Sequence, residues 1–413
     1  MRRRTVLAAG GGAGVLVAIG YVVWPDDDGG SDDVQGGWHE SGTDDALLIN
    51  RKLRSVRPGD EVRLPFSTEG YGIKTSIRIP QGVALVCPPD SPIRALRDLK
   101  VMVTFQGPNG RLQGAALDSG SSRVGAMVNV EEKARNAVIE NCDLQGGEMT
   151  TIGVRAHGRQ TGCAVAGCSI TGPATGVSLV GSGRGMRITD TVISKWQQRG
   201  VYVQQRGNAP YVDVTIRDNT VEDMREGGVS RYPIVVTGTE TKKTRKLAVQ
   251  GNTVRGANRS WRDPDAPGTA DQIAVRHARS VDISDNSSWG GGDVGITVAH
   301  CHNGEVRNNH VWENDTAGIY IGTRSGNSMG EIVVEGNRCE NNGQNRHGDR
   351  KAHGRAGIRV TEGGRVVLRR NVISDTQESR TQLSGITLDG APRVTLELNS
   401  ISGVKTKVMR AEK

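Results

Sequence analysis

The chain has 413 residues, of which 35% are hydrophobic, 3% aromatic and 24% charged, and it carries a net charge of +8 at neutral pH. The chain has only two Phe, which excludes a core built on aromatic packing. The low aromatic content does not indicate disorder, because thin strands with narrow interiors favour Val, Ile and Ala. A basic surface suits acidic glycans, with nucleic acid as the competing partner and a merely solvated basic face as the simplest interpretation.

Residues 1–24 have the pattern of an export signal. Arg2, Arg3 and Arg4 precede an apolar run, and the paired arginines resemble a twin-arginine leader. The run 5–24 has about the length that spans a bilayer, but its five Gly weaken it as a membrane helix. The sequence therefore leaves open whether the segment is cleaved or anchors the protein to the membrane. Both alternatives predict an extracytoplasmic protein, either secreted or anchored on the outer face, for which no nucleic acid partner is expected.

An acidic, Gly-rich linker at 25–37 leads into an N-terminal cap and first coils at 38–125. Thr43, Asp44 and Asp45 can cap a short amphipathic helix that ends near Arg57. The apolar positions of this helix are Ala46, Leu47, Ile49 and Leu53. Such a helix would cover the open end of a stack of strands, whose edge groups would otherwise stay unpaired.

Between residues 126 and 404 a short phrase recurs: an apolar residue, two further residues, and then a small polar residue at a turn. Seven consecutive repeats carry Asn at that turn, at unequal intervals of 23 to 34 residues, so a fixed turn recurs while the loops between turns vary. The turn positions are Cys142, Cys168, Thr191, Asn219, Asn252, Asn286, Asn309, Asn337, Asn371 and Asn399. Amides at one turn can bond to those above and below, which predicts a side-chain ladder.

A second phrase alternates apolar and polar residues, as a strand with one buried face must. Its apolar pairs include Val201 and Val203, Ile273 and Val275, and Ile296 and Val298. Stacking such rungs buries an aliphatic column that no single rung could bury. The prediction is an all-β, single-stranded parallel β-helix of about ten or more rungs. A leucine-rich horseshoe and a propeller are excluded because neither a Leu-rich consensus nor four antiparallel strands per repeat is present.

These phrases resemble the right-handed parallel β-helix proteins of the pectate-lyase-like superfold, over roughly residues 42–404. The resemblance implies a right-handed coil with an N-terminal capping helix and an enzyme of the polysaccharide lyase or glycoside hydrolase type. It assigns no single family. Alginate-epimerase-like members carry Asp-Pro-His, whereas the nearest string here is Asp263, Pro264 and Asp265, so no catalytic role is carried over.

The remaining expectations concern the C-terminus, the cysteines and the oligomeric state. Residues 405–413 are charged and are predicted to form a tail. Cys142 and Cys168 share the turn position on adjacent rungs, so they are either stacked thiols or disulfide partners. A capped solenoid of this kind is expected to be a monomer.

Loop lengths locate a candidate groove. Long insertions at 254–270, 339–355 and 375–382 flank short rungs, which predicts a trough whose floor is formed by the strands around Ile273, Ile296 and Ile319. His277 and His300 occupy equivalent positions one rung apart, with Thr323 next in the column. The candidate catalytic residues are His277, His300, Arg276, Arg324, Tyr320, Asp293 and Asp315. The candidate substrate-binding residues are Asp271, His302, Trp261, Arg350 and Lys351.

Two reactions suit such a groove. In β-elimination on a uronate polymer, His277 or His300 would take the proton next to the carboxylate, Arg276 or Arg324 would neutralise the charge, and Tyr320 would protonate the leaving oxygen. In glycoside hydrolysis, Asp293 with Asp315 or Asp271 would act as acid and base. Calcium is a candidate ion because carboxylates are hard ligands, but no spacing demands it, and no cofactor is predicted with certainty. Non-catalytic glycan binding is the third alternative. The expected partner in each case is an acidic polysaccharide.

Overall fold

The computed structural model describes residues 44–225, 232–256, 270–323, 329–345, 354–362, 364–391 and 393–411. It contains one helix, α1 (Asp45–Ser55), and 38 strands within those ranges. The predicted export segment 1–24, the linker 25–37 and the start of the cap lie outside the described residues. No helix among the described residues is long and apolar enough to cross a membrane.

The strands follow one another along the chain as a continuous coil. The first thirteen are β1 Glu61–Arg63, β2 Tyr71–Ile73, β3 Ile77–Ile79, β4 Ala84–Val86, β5 Ile93–Ala95, β6 Leu99–Phe105, β7 Arg111–Gln113, β8 Ala116–Asp118, β9 Val124–Val130, β10 Val138–Glu140, β11 Asp143–Gln145, β12 Thr150–Thr161 and β13 Ala164–Ala166. The next thirteen are β14 Ser169–Thr171, β15 Thr175–Thr189, β16 Val192–Ser194, β17 Arg199–Gln205, β18 Tyr211–Arg217, β19 Thr220–Glu222, β20 Tyr232–Thr237, β21 Thr244–Gln250, β22 Thr253–Arg255, β23 Ile273–Arg276, β24 Ala278–Ser284, β25 Ser287–Trp289 and β26 Ile296–Ala299. The last twelve are β27 His302–Arg307, β28 His310–Trp312, β29 Ile319–Gly322, β30 Ile332–Glu335, β31 Arg338–Glu340, β32 Ala356–Thr361, β33 Val366–Arg369, β34 Val372–Ser374, β35 Ser384–Asp389, β36 Val394–Glu397, β37 Ser400–Ser402 and β38 Thr406–Ala411.

All strand pairings are parallel, and each strand pairs with its counterpart on the next rung. A 13-stranded sheet of three-residue strands forms one side of the coil, and a 25-stranded sheet wraps the rest. The rung of β23, β24 and β25 shows the plan, with β23 pairing to β26 and β25 to β28. Thirteen strands in the narrow sheet confirm the predicted parallel β-helix of ten or more rungs.

The core is the predicted aliphatic column. Ile273, Val275, Ile296 and Val298 are fully buried and stack in register. The six cysteines are free thiols and are all buried, so Cys142 and Cys168 are neighbouring thiols on adjacent rungs.

The predicted asparagine ladder runs along the edge of the core, parallel to the axis of the coil. From Asn219 to Asn371 each side-chain Nδ2 donates to the Oδ1 of the next ladder residue at 2.8–3.0 Å, and the ladder ends at Asn399. Each Oδ1 also accepts a backbone N–H from the rung before it, as in Asn286 N–H to Asn309 Oδ1 at 3.0 Å. These buried amides are therefore satisfied by one another along the axis.

A second ladder was not anticipated. Asn314 Nδ2 donates to Asn342 Oδ1 at 3.0 Å, and Asn342 Nδ2 donates to Gln382 Oε1 at 3.4 Å. It lies at the corner after the narrow sheet, where Glu313 and Asn341 adopt left-handed backbone conformations. Asn314, which precedes the candidate residue Asp315, is thus part of a buried ladder.

The two ends of the coil differ. Helix α1 covers the N-terminal end with Ala46, Ile49 and Leu53 buried, and Asn50 bonds to the backbone of Ser76 and Arg78 at 2.9 and 2.7 Å. At the other end, residues 406–411 form β38 and pair with β35, so the tail predicted at 405–413 is instead largely a last strand.

Candidate functional site

His277 and His300 occupy one column at a corner of the wide sheet. Each follows the end of a strand and has a left-handed backbone, with φ of 54° and 56°. Their rings stack face to face with centroids 4.6 Å apart and planes 5° from parallel. Their backbone N–H groups bond one rung onward, to Ala299 and Gly322, which makes Thr323 the next residue of the column. The predicted vertical relation of the two imidazoles is confirmed.

Positive charge surrounds this stack. Lys243 Nζ donates to the backbone oxygen of His300 at 3.2 Å. Burial lowers the pKa of His277, and the neighbouring His300 and Lys243 lower it further, while Glu240 opposes them. A depressed pKa keeps the imidazole of His277 neutral at neutral pH, which is the form that can accept a proton.

Arg276 anchors the residues beside the stack. Its guanidinium donates to Asp271 at 3.1 Å and to the hydroxyl of Tyr232 at 3.2 Å, and about a third of its side chain stays exposed. Asp271 is buried, and burial together with the nearby Asp293 raises the pKa of Asp271 to about 7, against the opposing charge of Arg276. Asp271 therefore carries a proton part of the time at neutral pH.

The other two candidate carboxylates lie inside the structure, although they were expected on the outward floor of the groove. Asp293 is 5% exposed and accepts the Thr316 hydroxyl at 2.8 Å. Asp315 is 1% exposed, and its backbone bonds to Gly291 and Asn345. Both residues therefore have the environment of groups that hold the loops between strands in place.

Tyr320 lies in β29 and His302 in β27, two strands of the wide sheet that do not pair with each other. Tyr320 is in register with Thr297 and Arg359, and its hydroxyl is 2.9 Å from that of Thr361. His302 begins β27 in register with Arg279. Tyr320 thus lies on the same face as Arg276, in strands β29 and β23 on either side of β26.

Several predicted residues lie outside the described part of the chain. These are Trp261, Arg324, Arg350 and Lys351, together with Asp263, Pro264 and Asp265. Of the three predicted wall loops, the one at 375–382 is described throughout, and Asp375 closes it by accepting the backbone N–H groups of Gln377 and Gln382.

Trp289 and Trp312 form an aromatic pair on adjacent rungs. Their rings stack at 4.5 Å with planes 8° apart, on the outer side of the narrow sheet. Because they stack along the axis, each covers one face of the other. The register places Arg255 and Glu340 at the two ends of the pair, so the ring faces are not presented sideways to a ligand.

Lys243 and Tyr232 were missed by the sequence reasoning, although a signal exists for both. Lys243 precedes His277 by 34 residues, the same interval that separates Asn252 from Asn286 on those two rungs. Tyr232 occupies in its strand phrase the position that Asp271 occupies in the next. Among the described residues no group of three or more His, Cys, Asp or Glu side chains could hold a metal ion, so calcium stays a prediction.

Comparison with known proteins identifies the coil. The bacteriophage CBA120 tailspike protein 3 matches with a TM-score of 0.61 at 13% identity, over 95% of this chain and 59% of the tailspike. The A-module of the Azotobacter vinelandii mannuronan C-5 epimerase AlgE6 matches with a TM-score of 0.53 at 14% identity, over 90% of this chain and 94% of the module. The N-terminal fragment of bacteriophage Phi29 gene product 12 matches with a TM-score of 0.54 at 14% identity, over 89% and 69%.

The sequence comparisons agree with the fold. No curated protein matches the sequence significantly. The model of the right handed beta helix region matches residues 118–259 and 175–401, which together exceed half of the chain. The protein therefore belongs to the right-handed β-helix family.

Proposed function

We propose that the protein is an extracytoplasmic enzyme that cleaves an acidic, uronate-containing polysaccharide by β-elimination. The observation that carries this proposal is the stack of His277 on His300, in which burial lowers the pKa of His277 and the cations of Arg276 and Lys243 lie close by. Proton abstraction beside a carboxylate requires a neutral base next to positive charge, because the carboxylate must be neutralised before its α-carbon can lose a proton.

Each residue has a role in the proposed step. His277 takes the C-5 proton of a uronate, and Arg276, whose side chain is about a third exposed, faces the carboxylate. The C4–O bond breaks as the C4=C5 double bond forms, and the Tyr320 hydroxyl supplies the proton that the leaving oxygen needs. Tyr320 lies on the outer face of the adjacent strands, which is compatible with this division of roles.

The class of polymer has independent support. The net charge of +8 favours an acidic polymer. Two of the matched structures are A-modules of mannuronan C-5 epimerases, and C-5 is the carbon next to a uronate carboxylate. At 14% identity this likeness supports the polymer class, and the choice of elimination comes from the residues of this chain.

Hydrolysis is the second candidate, because the raised pKa of Asp271 suits a general acid. The acid would be Asp271 and its partner Asp293. Elimination is favoured over hydrolysis because both carboxylates are at least 95% buried and face protein partners, whereas the imidazole column is half-buried.

The test is incubation of the full chain with a panel of uronate polymers, followed by ultraviolet absorbance for the new double bond and by a reducing-end assay. Elimination yields both signals, hydrolysis yields reducing ends alone, and binding without either signal indicates a glycan-binding solenoid. His277→Gln should lower turnover about 10²- to 10⁴-fold, the contribution typical of a general base. His157→Gln is the matched control, since His157 is an exposed histidine on the early strand β12. Product formation unchanged in His277→Gln would overturn the assignment of the base.

The compartment requires its own experiment. A fusion of residues 1–37 to a reporter that is active only outside the cytoplasm should give signal, and replacement of Arg3 and Arg4 by Lys should abolish it. Retention of the reporter in the cytoplasm would contradict the proposal of export.

A further inference from the structure

A second basic feature lies on the coil away from His277. A cleft of about 560 Å³ opens between the end of β12 and the strands β15, β18 and β21. Its lining includes Asn136, Gly162, Arg184, Gly185, Arg187, Asp213 and Lys246. We propose that this cleft is a distal subsite that binds a carboxylate-bearing sugar of the same polysaccharide chain, an inference that rests on the proposed function.

The charge of the cleft is not neutralised. Arg184, Arg187 and Lys246 are exposed, and none of them forms an ion pair with a described residue, while Asp213 supplies the only carboxylate of the lining. Elsewhere on the coil arginines are commonly paired along the axis, for example Arg111 with Glu140, Arg307 with Asp282 and Arg369 with Glu335. Three unpaired cations around one depression form a local site for anions.

The floor of the cleft permits close approach. Gly162 and Gly185 lie one above the other with φ of 67° and 66°. A side chain at Gly185 would meet nothing nearer than Gly162 at 3.8 Å, so the absence of a Cβ there leaves open space. A sugar ring can therefore lie against the backbone while its carboxylate reaches the surrounding cations.

The cleft and the histidine column lie along the same corner of the wide sheet. The register runs from Arg184 through Val212 and Arg245 to Arg279, one rung at each step. Arg279 is two residues after His277, so three rungs of roughly 4.8 Å, or about 14 Å, separate the Arg184 level from the His277 level along the axis. An oligosaccharide of a few units spans such a distance.

The path between the two places is also basic. Arg245 and Arg279 are exposed in the intervening and final rungs, and Lys243, three residues before Lys246, contacts His300. A polyanion lying along the axis would thus meet cations from the cleft to the proposed catalytic base. This arrangement favours a long anionic chain over a small isolated anion.

The experiment compares oligouronates of graded length on the full chain carrying R184Q and K246Q. Binding is measured by fluorescence polarisation with labelled oligomers, from dimers to decamers, at several salt concentrations. The double variant should bind the long oligomers about tenfold more weakly and with a smaller salt dependence, because two exposed charge contacts are lost. Dimers, which cannot reach from His277 to the Arg184 level, should bind and turn over as in the unchanged protein.

The matched control is K405Q with K407Q, which removes the same charge at two exposed positions at the C-terminal end of the coil. Thermal unfolding of both variants establishes that each is folded. Equal affinity of the R184Q and K246Q variant and the control for long oligomers would overturn the subsite. Tighter binding of a single-stranded oligonucleotide of equal charge at the cleft would overturn its assignment to uronates.

The two proposals can fail separately. Charge-dependent binding of long oligouronates at the cleft without any product refutes the elimination reaction and supports the subsite. Product formation with no effect of R184Q and K246Q at any length supports the reaction and refutes the subsite.

Discussion

The left-handed backbone conformation of His277 explains why its ring lies at the corner between β23 and β24. Non-glycine residues rarely adopt positive φ, and His is among the types enriched there. At this corner the chain leaves β23 and immediately starts β24, so the side chain projects from a bend between two strands. His300 repeats the same bend one rung on, and the ring stack follows from the repeat.

The stack predicts a shift in the titration of His277. Protonation of His277 places a positive charge beside His300 and Lys243, so both neighbours lower its pKa. Removing one of them must therefore raise the pKa of His277 toward its ordinary value of 6.5. We expect a higher pKa for His277 in His300→Gln and in Lys243→Gln, measured by NMR titration of the imidazole, and the acidic limb of the pH–rate profile should move to higher pH with it. An unchanged or lower value in both variants would contradict the electrostatic account.

The asparagine ladder predicts a stability difference that depends on position. Asn309 is buried between two ladder neighbours, and Asn309→Ala removes the oxygen that accepts the backbone N–H and the Nδ2 of Asn286, together with the Nδ2 that donates to Asn337 Oδ1. The backbone N–H of Asn286 then loses its acceptor. The expected loss is about 2–4 kcal/mol of unfolding free energy, since each unsatisfied buried group costs about 1–3 kcal/mol. Urea unfolding measures it.

Asn399→Ala is the comparison, because Asn399 is the last residue of the ladder and is only half-buried. Asn399→Ala should lower the free energy of unfolding by less than Asn309→Ala does. Equal losses at the two positions would show that the ladder does not act through mutual satisfaction of its amides.

At the scale of the strands, a column of glycines lets the wide and narrow sheets meet. Gly176, Gly295, Gly318, Gly357 and Gly385 each precede an inward Val or Ile. A Cβ at Gly318 would lie 2.8 Å from Asn342 Nδ2 and 2.8 Å from the backbone oxygen of Gly357. The space at this crease, the bend where the narrow sheet meets the wide sheet at these glycines, is already filled by the second ladder and by the next rung.

Gly318→Ala is therefore expected to destabilise the protein by about 1–3 kcal/mol, the range of overpacked sites. Thermal or urea unfolding provides the measurement. Gly354→Ala is the matched control, because a Cβ there meets nothing within 4 Å. A Gly318→Ala protein as stable as the control would contradict the close packing of the crease.

These elements also show what the sequence could predict. Repeat spacing sets the register, so the coil, the capping helix and the vertical relation of His277 to His300 followed from residue positions alone. The burial of Asp293 and Asp315 did not, because both precede strands in loops, where period-two alternation does not determine the direction of a side chain. The second ladder escaped notice because its members differ in type and are separated by 28 and 40 residues.

For the whole molecule, the stability of a solenoid is close to a sum over rungs and the contacts between neighbouring rungs. The two ends are unequal. Helix α1 buries Leu53 against the first rungs, whereas β36 to β38 are largely exposed and Leu398 is 83% exposed. The last rung has a neighbour on one side only, so its opening costs the least free energy.

Hydrogen exchange should therefore be fastest in β36 to β38, slowest in the central rungs, and intermediate under α1, as mass spectrometry of peptides can measure. Leu53→Ala should accelerate exchange in the first strands and leave β36 to β38 unchanged, because rung contacts reach only their neighbours. A uniform acceleration along the whole coil would show that the protein unfolds as one cooperative unit. In that case the Arg184 level of the subsite and the histidine column, three rungs apart, would unfold together, and variants at one would have to be checked for effects at the other.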